Sequence, residues 1–204
     1  GINNFSSKDR VRLTLDEENT SLLLKQVVKQ LDASINSILL APHAKAFDDI
    51  FECSSLLIAM ESHGRDGLDE LDVSNTMGWF TNIYPVFLKA SKDGFLAGQV
   101  QIIGTMLQSI PNKGFDYLLM DGSKDKERPL PEISFNYLGK FGGEALPHAI
   151  FDMAYESYGF PVDSQNMRSH LFNIVIAVVD NRLSVDWSFS SNFYRKETVK
   201  RLAD

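Results

Sequence analysis

Cys53-Ser54-Ser55-Leu56-Leu57-Ile58-Ala59-Met60-Glu61-Ser62-His63-Gly64-Arg65-Asp66 is the stretch from which the rest of the chain can be read. Cys53 to Met60 is a near-continuous apolar run, and its length is that of a buried strand. Glu61 to Asp66 leaves that strand as a polar turn. A buried strand that ends in charged side chains is where an α/β fold tends to place chemistry. Two readings of the turn follow from its residues alone. It is a loop tied down by its own ion pairs, or it carries a carboxylate set to exchange protons with a bound group.

Toward the N-terminus, the first eight residues are polar and unpatterned and read as a frayed lead-in. Val11, Leu13 and Leu15 alternate with Arg12 and Thr14, as in a half-buried strand. Asp16 or Thr20 then caps a helix that runs to Leu31, with Leu22, Leu23, Val27, Val28 and Leu31 as its apolar stripe. Ser34 caps a second helix bearing Ile35, Ile38, Leu39, Ala46, Phe47 and Ile50. Pro42 lies inside it and is expected to kink it or end its first half.

Toward the C-terminus, Trp79 to Leu88 is rich in aromatic and β-branched residues and reads as a strand. Phe95 to Ile110 has the spacing of an amphipathic helix, which Pro111-Asn112-Lys113-Gly114 stops. Phe115 to Met120 is a short apolar helix or turn, and Asp121 to Pro131 is a charged loop. Ile133 to Leu138 reads as a strand, followed by an irregular stretch from Gly139. Leu171 to Val179 and Leu183 to Phe189 both alternate and are joined by Asp180-Asn181-Arg182, which makes a hairpin. Arg195 to Ala203 starts a terminal helix. Helices and strands alternate early and strands dominate late, so the expected fold is a mixed sheet covered by helices.

Composition narrows the function. The 204 residues are 44% apolar, which suits one domain that needs no metal or disulfide to fold. Cys53 has no partner for a disulfide, which fits a reducing, cytoplasmic setting. Lys plus Arg is 20 against Asp plus Glu 27, a net charge of −7 with no basic stripe, so neither a nucleic-acid groove nor a membrane anchor is expected. No apolar run has the length of a membrane span, and no signal peptide is recognisable. His43, His63, His148 and His170 are scattered, and no metal site is expected. Phosphate-loop, dinucleotide and nucleophile-elbow motifs are absent.

Three motifs carry a family resemblance. Glu61 to Asp66 resembles the E-G-H-G-R-E motif of epimerization domains in nonribosomal peptide synthetases, with Ser62 for the glycine and Asp66 for the last glutamate. Asn75-Thr76-Met77-Gly78-Trp79-Phe80-Thr81-Asn82-Ile83-Tyr84-Pro85 is similar to that family's R-T-V-G-W-F-T-x-x-Y-P. Phe135-Asn136-Tyr137-Leu138-Gly139 matches F-N-Y-L-G outright. Pro111 to Tyr117 is a weaker echo of P-x-x-G-x-G-Y-G, with Asp116 in place of a glycine. The family's D-x-L-L-x-A is eroded: Ser37 stands for the aspartate, and Pro42 follows Ala41. The first-lobe motif H-H-x-x-x-D-G has no counterpart, because no two histidines are adjacent.

The resemblance implies an α/β lobe like that of chloramphenicol acetyltransferase, a mixed β-sheet with helices packed mainly on one face. Residues 1–204 would be the single C-terminal lobe of a two-lobe domain, without its N-terminal lobe. The implied reaction, part of antibiotic biosynthesis, inverts the α-carbon of an aminoacyl or peptidyl thioester from L to D. That thioester rides on the phosphopantetheine of a peptidyl carrier protein, and no cofactor is bound directly. By residue, the resemblance makes Glu61 the catalytic acid/base. It makes Asn136, Tyr137, Tyr84, Trp79 and Phe80 substrate-binding, and it gives His63 and Arg65 the task of holding the loop, Arg65 through an ion pair. Trp79 and Phe80 read equally well as core. Asn136 and Tyr137 alternate along one strand, so only one of them points at the substrate unless the strand is bulged. The implied partners are the carrier protein, the other lobe and adjacent synthetase domains, with self-association through the exposed lobe interface. Two other readings stay open: a condensation domain that forms a peptide bond between carrier-bound substrates, and a lobe that docks a carrier without catalysis. The chain alone is expected to fold and to be inactive.

Overall fold

Most of the apolar run, residues 55–60, forms the first part of β2 (Ser55–Ser62), which Cys53 and Ser54 precede and which Glu61 and Ser62 extend, and the sheet is assembled around it. The computed structural model describes residues 1–65, 72–73, 75–91, 95–117, 129–141, 156, 159 and 161–204. Asp66, His148 and most of the stretch 118–131 therefore lie outside the described residues. Five further strands join β2: β1 (Lys8–Thr14), β3 (Asn82–Lys89), β4 (Ile133–Phe141), β5 (Phe172–Val179) and β6 (Arg182–Ser190). Their order across the sheet is β1-β6-β5-β4-β2-β3. β4 runs parallel to both its neighbours, β2 and β5, and every other pair is antiparallel. The sheet is mixed, with β1 and β3 at its edges.

Alternation gives the sheet one apolar face. Leu56, Ile58 and Met60 of β2, Tyr84, Val86 and Leu88 of β3, and Ile133 and Phe135 of β4 are all buried. Phe172, Ile174, Ile176 and Val178 of β5 continue that face, as do Leu183, Trp187 and Phe189 of β6. Each large apolar side chain withdrawn from water contributes about 1.5–3 kcal/mol, so this layer is the main stabilising element.

The helices pack on this face. They are α1 (Glu17–Ser21), continued by a π-helical turn (Leu22–Val27) into α2 (Val28–Leu31), then α3 (Ile35–Phe51), α4 (Leu96–Gln108) and α5 (Lys196–Ala203). Among the described residues no helix covers the other face. The architecture is the one expected: a mixed sheet with helices on one side.

Local chemistry sets the boundaries. Asp16, not Thr20, caps α1: its Oδ1 accepts from the Asn19 N–H at 2.7 Å. Thr20 is buried instead, and its hydroxyl accepts from the Leu183 N–H at 3.0 Å. Ser34 Oγ accepts from the Ser37 N–H and starts α3. In the hairpin between β5 and β6, Asp180 and Asn181 have φ of 48° and 61°, the pair of left-handed residues that a two-residue turn demands.

Three expectations are corrected. The first eight residues are not frayed: Asn3 Nδ2 donates to the carbonyls of Arg168 and His170, and buried Ser7 shares a hydrogen bond with Ser190. Polar residues there serve as ties, which an apolar pattern cannot reveal. Pro42 does not end α3, which is continuous over 17 residues. Burial of Ile38, Leu39, Leu40, Ala41, Ala44 and Phe47 outweighs the ~3 kcal/mol that an interior proline costs. Finally, β3 starts at Asn82, so Trp79 and Phe80 precede the strand.

Candidate active site

Glu61 is the penultimate residue of β2 and pairs with Ile83 of β3. Its neighbours Met60 and Tyr84, also a cross-strand pair, face the helices. Glu61 therefore projects from the opposite, uncovered face, where it is half-buried. Asn136 reaches it from β4. The register of β2 with β4 matches Met60 to Phe135, which sets Asn136 beside Glu61. The Asn136 Nδ2–H donates to Glu61 Oε2 at 2.6 Å. Oε1 has no hydrogen-bond partner among the described residues, so the carboxylate is held by one oxygen and open at the other.

The turn after Glu61 is fixed by backbone geometry. Gly64 has φ +63°, and a Cβ there would lie 1.7 Å from the Phe80 carbonyl oxygen. Only glycine satisfies both the left-handed conformation and the close approach. The Arg65 guanidinium lies 4.2 Å from the centre of the Phe80 ring, and its Nη1–H donates to the Val73 carbonyl at 2.5 Å. The Arg65 N–H donates to His63 Nδ1 at 3.1 Å. His63 and Arg65 thus make contacts within the loop, with a cation–π contact and a backbone carbonyl as Arg65's partners.

The remaining candidates are distributed unequally. Tyr84 lies on the helix-covered face, 9% exposed, with Gly114 against its ring: a Cβ on Gly114 would come within 2.3 Å of the ring carbons. Burial raises the Tyr84 phenol above its usual range. Tyr137 also faces the helices, packs against the core, and has its phenol raised by burial. Alternation separates it from Asn136, although a register shift between Tyr137 and Lys140, with Gly139 at φ 82°, marks a bulge just beyond. Trp79 is 91% exposed, which excludes core packing for it. Phe80 is occupied by Arg65. Of the substrate-binding candidates, only Asn136 lies beside Glu61.

Two polar clusters on the uncovered face are absent from the sequence-based expectations. Arg168 is buried and donates to Asn173 Oδ1 and the Ser188 carbonyl, both at 3.0 Å, while Asn173 Nδ2 donates to Ser134 Oγ at 2.8 Å. Arg10 and Arg12 both donate to Asp186. Burial alone would raise the Asp186 carboxyl, but the hydrogen bonds from Arg10 and Arg12 prevail and hold it below the usual carboxylate range. The alternation of β1 and β6 is the only sequence signal for this cluster. Nothing in the pattern around Arg168 marks it. Among the described residues no group of His, Cys, Asp and Glu is arranged to hold a metal ion, and no helix is long and apolar enough to cross a membrane.

The covered and uncovered faces, with the polar residues gathered on the latter, define a lobe of the chloramphenicol acetyltransferase type. The profile of the condensation-domain family matches residues 3–204, and the chain belongs to that family of nonribosomal peptide synthetase domains.

The chain is 32% identical over 203 residues to bacitracin synthase 3 of Bacillus licheniformis, an alignment covering 97% of this chain and 3% of that protein. It is 31% identical over 209 residues to gramicidin S synthase 1 of Brevibacillus brevis, covering 95% and 19% respectively. Among solved structures it is similar to the epimerization domain from the third module of tyrocidine synthetase B. The TM-score is 0.88 and the identity 29%, over 100% of this chain and 47% of that one. The first condensation domain of the CDA synthetase shares the fold, with a TM-score of 0.62 at 15% identity over 97% and 43%. The chain spans a small fraction of these synthases and less than half of the epimerization-domain chain.

Proposed function

We propose that this lobe is the C-terminal part of an epimerization domain, inverting the α-carbon of an aminoacyl or peptidyl thioester carried on the phosphopantetheine of a peptidyl carrier protein. The observation that carries the reading is the Glu61 carboxylate at a strand end on the uncovered face, tethered through one oxygen by Asn136 at 2.6 Å and open at the other. The likeness to an epimerization domain over the whole chain supports it.

In the reaction the α-carbon C–H bond breaks and its electron pair enters an enolate spread onto the thioester oxygen. The proton passes to a base on one face. An acid on the other face supplies a proton to the α-carbon, so the sum of atoms is unchanged. Glu61 is one of these two groups, and Asn136 positions it. The opposing group comes from the N-terminal lobe, which is the second partner in this reading. His63 lies two residues from Glu61, just past the end of β2, and does not serve the opposite face. Arg65 and Phe80 act on the loop, and adjacent synthetase domains supply and remove the carrier.

The test is to incubate the chain with an L-aminoacyl carrier protein, alone and joined to the N-terminal lobe of an epimerization domain, and to resolve the enantiomers released. D-product from the joined form only is expected. D-product from the chain alone would show a complete site within residues 1–204, and none from either would remove the epimerase reading. The condensation-domain family match favours a second reading, a domain that joins two carrier-bound substrates through an amide. Its outcome in the same assay, with an acceptor carrier added, is a peptide on the acceptor and no D-product.

A further inference from the structure

Within the sheet, the two sides of Glu61 differ in chemistry. Toward the middle of the sheet stands Asn136, whose Nδ2–H is given to Glu61 and whose Oδ1 has no hydrogen-bond partner among the described residues. Toward the edge stands Ile83, paired directly with Glu61, and Pro85 follows it on the same face, opposite Ala59. Ile83 is 41% exposed, an aliphatic side chain turned out beside a carboxylate. Val175 lies next to Asn136 on its far side, and Leu138, two residues along β4, is also exposed.

Charge near this place is distant or already engaged. Across the sheet from Glu61, past Asn136 and Val175, the first ionised side chain is Asp186, three strand steps away and held by Arg10 and Arg12. At about 4.8 Å per step that is about 14 Å. Arg168 is buried and donates to Asn173 and the Ser188 carbonyl. Arg65 is turned to the Phe80 ring and the Val73 carbonyl. A carboxylate set down beside Ile83 would face Glu61, a second anion. An ammonium there would pair with Glu61 and make it a weaker base.

Proton transfer to the open Glu61 oxygen requires the α C–H to point at it, with the α-carbon about 3–3.5 Å away. The amino nitrogen, the thioester carbonyl and the side chain then spread sideways. Asn136 Oδ1 is an acceptor for the amino N–H, which draws that group toward β4. The side chain is left the β3 side, where Ile83 and Pro85 lie about 7 Å apart along the strand, about the reach of a leucine or phenylalanine. Apolar surface laid on them leaves water, whereas an ionised group loses hydration without gaining a partner.

We propose that Ile83 and Pro85 seat the side chain of the residue being inverted, so that the substrate of this domain carries an uncharged, apolar side chain. The placing of the α-carbon rests on the epimerase reading above.

The test uses the form joined to an N-terminal lobe, with carriers loaded with L-leucine, L-phenylalanine, L-glutamate or L-lysine, and resolves the enantiomers released. The expected kcat/KM for leucine and phenylalanine is at least tenfold that for glutamate and lysine. Ile83→Thr keeps the β-branched shape but loses apolar surface, and is expected to cut that ratio by about tenfold. Ile83→Val retains most of it, and Phe87→Thr, two residues past Pro85, leaves it unchanged. Equal rates across the carriers, or an Ile83→Thr loss shared by all of them, would overturn the seat. A second measurement follows the isoleucine methyl resonances of the joined form as the N-acetylcysteamine thioesters of N-acetyl-L-leucine and N-acetyl-L-glutamate are added. Ile83→Val identifies the Ile83 signal, which is expected to move at lower concentration with the leucyl compound. If no carrier gives D-product, the epimerase reading fails. A leucyl-selective Ile83 response then keeps the apolar seat, and an unselective or absent one removes it.

Discussion

Glu61 and Gly64 are three residues apart and constrained by different physics. Glu61 depends on its neighbour: in the domain completed by the opposing protonic group, Glu61→Gln is expected to lower the epimerization rate by about 10²–10⁴-fold. A chiral assay of product checks this, and a parental rate would make Glu61 structural. Gly64 depends on space. In Gly64→Ala the new methyl meets the Phe80 carbonyl at 1.7 Å in a left-handed conformation, so a loss of about 2–4 kcal/mol is expected in urea unfolding. An unchanged midpoint would mean that the turn relaxes freely. The sequence motifs make Glu61 and Asn136 visible as separate candidates. Their contact is not visible there, because it joins residues 75 apart through a parallel pairing that periodicity does not encode. Tyr84 shows the same gap: it stands next in sequence to Ile83, which pairs with Glu61, yet it faces the core.

Helix α3 illustrates what pattern reading captures and where it fails. Its cap and apolar stripe are legible from Ser34 and Ile35 onward. Whether Pro42 disrupts it depends on how much the helix buries, which residue spacing does not reveal. Pro42 gives no N–H to the Ile38 carbonyl, and the next residue, His43, turns its ring Nδ1 to the Leu39 carbonyl at 2.6 Å. Pro42→Ala is expected to restore the missing donor and raise stability by about 1–3 kcal/mol, a rise in Tm of several degrees in calorimetry. An unaltered or lower Tm would show that the helix is already relaxed around the proline. The hairpin of β5 and β6 is the most legible pair, since both strands alternate and Asp180-Asn181 supplies the turn chemistry. The N-terminal tie is the least legible, because its stabilising contacts are side-chain amides and hydroxyls reaching carbonyls more than 160 residues away.

In the folded chain as a whole, His43 makes stability sensitive to acid. His43 is 8% exposed, stacked on Trp187 at 5.0 Å and edge-on to Phe135 at 5.6 Å. Its Nδ1–H is committed to Leu39, and Nε2 is buried without a hydrogen-bond partner among the described residues. Leu39, Phe135 and Trp187 carry no charge, and burial lowers the imidazole from 6.5 to about 4. Between these values the unfolded chain binds a proton that the folded chain refuses. Stability is therefore whole above about pH 6.5, falls as the pH drops, and is lower by about 3 kcal/mol at pH 4. Urea unfolding from pH 7 to pH 4.5 tests this against His43→Phe, in which that component of the slope is expected to vanish. A slope shared by both proteins would assign the acid sensitivity elsewhere. The two edge strands have a different consequence, for colloidal behaviour. β1 presents Lys8, Arg10 and Arg12, and β3 carries Pro85 at its middle, which has no N–H to offer an arriving strand. A sheet closed to lateral growth in this way resists polymerising into fibrils, and any pairing of two copies is left to its broad uncovered surface.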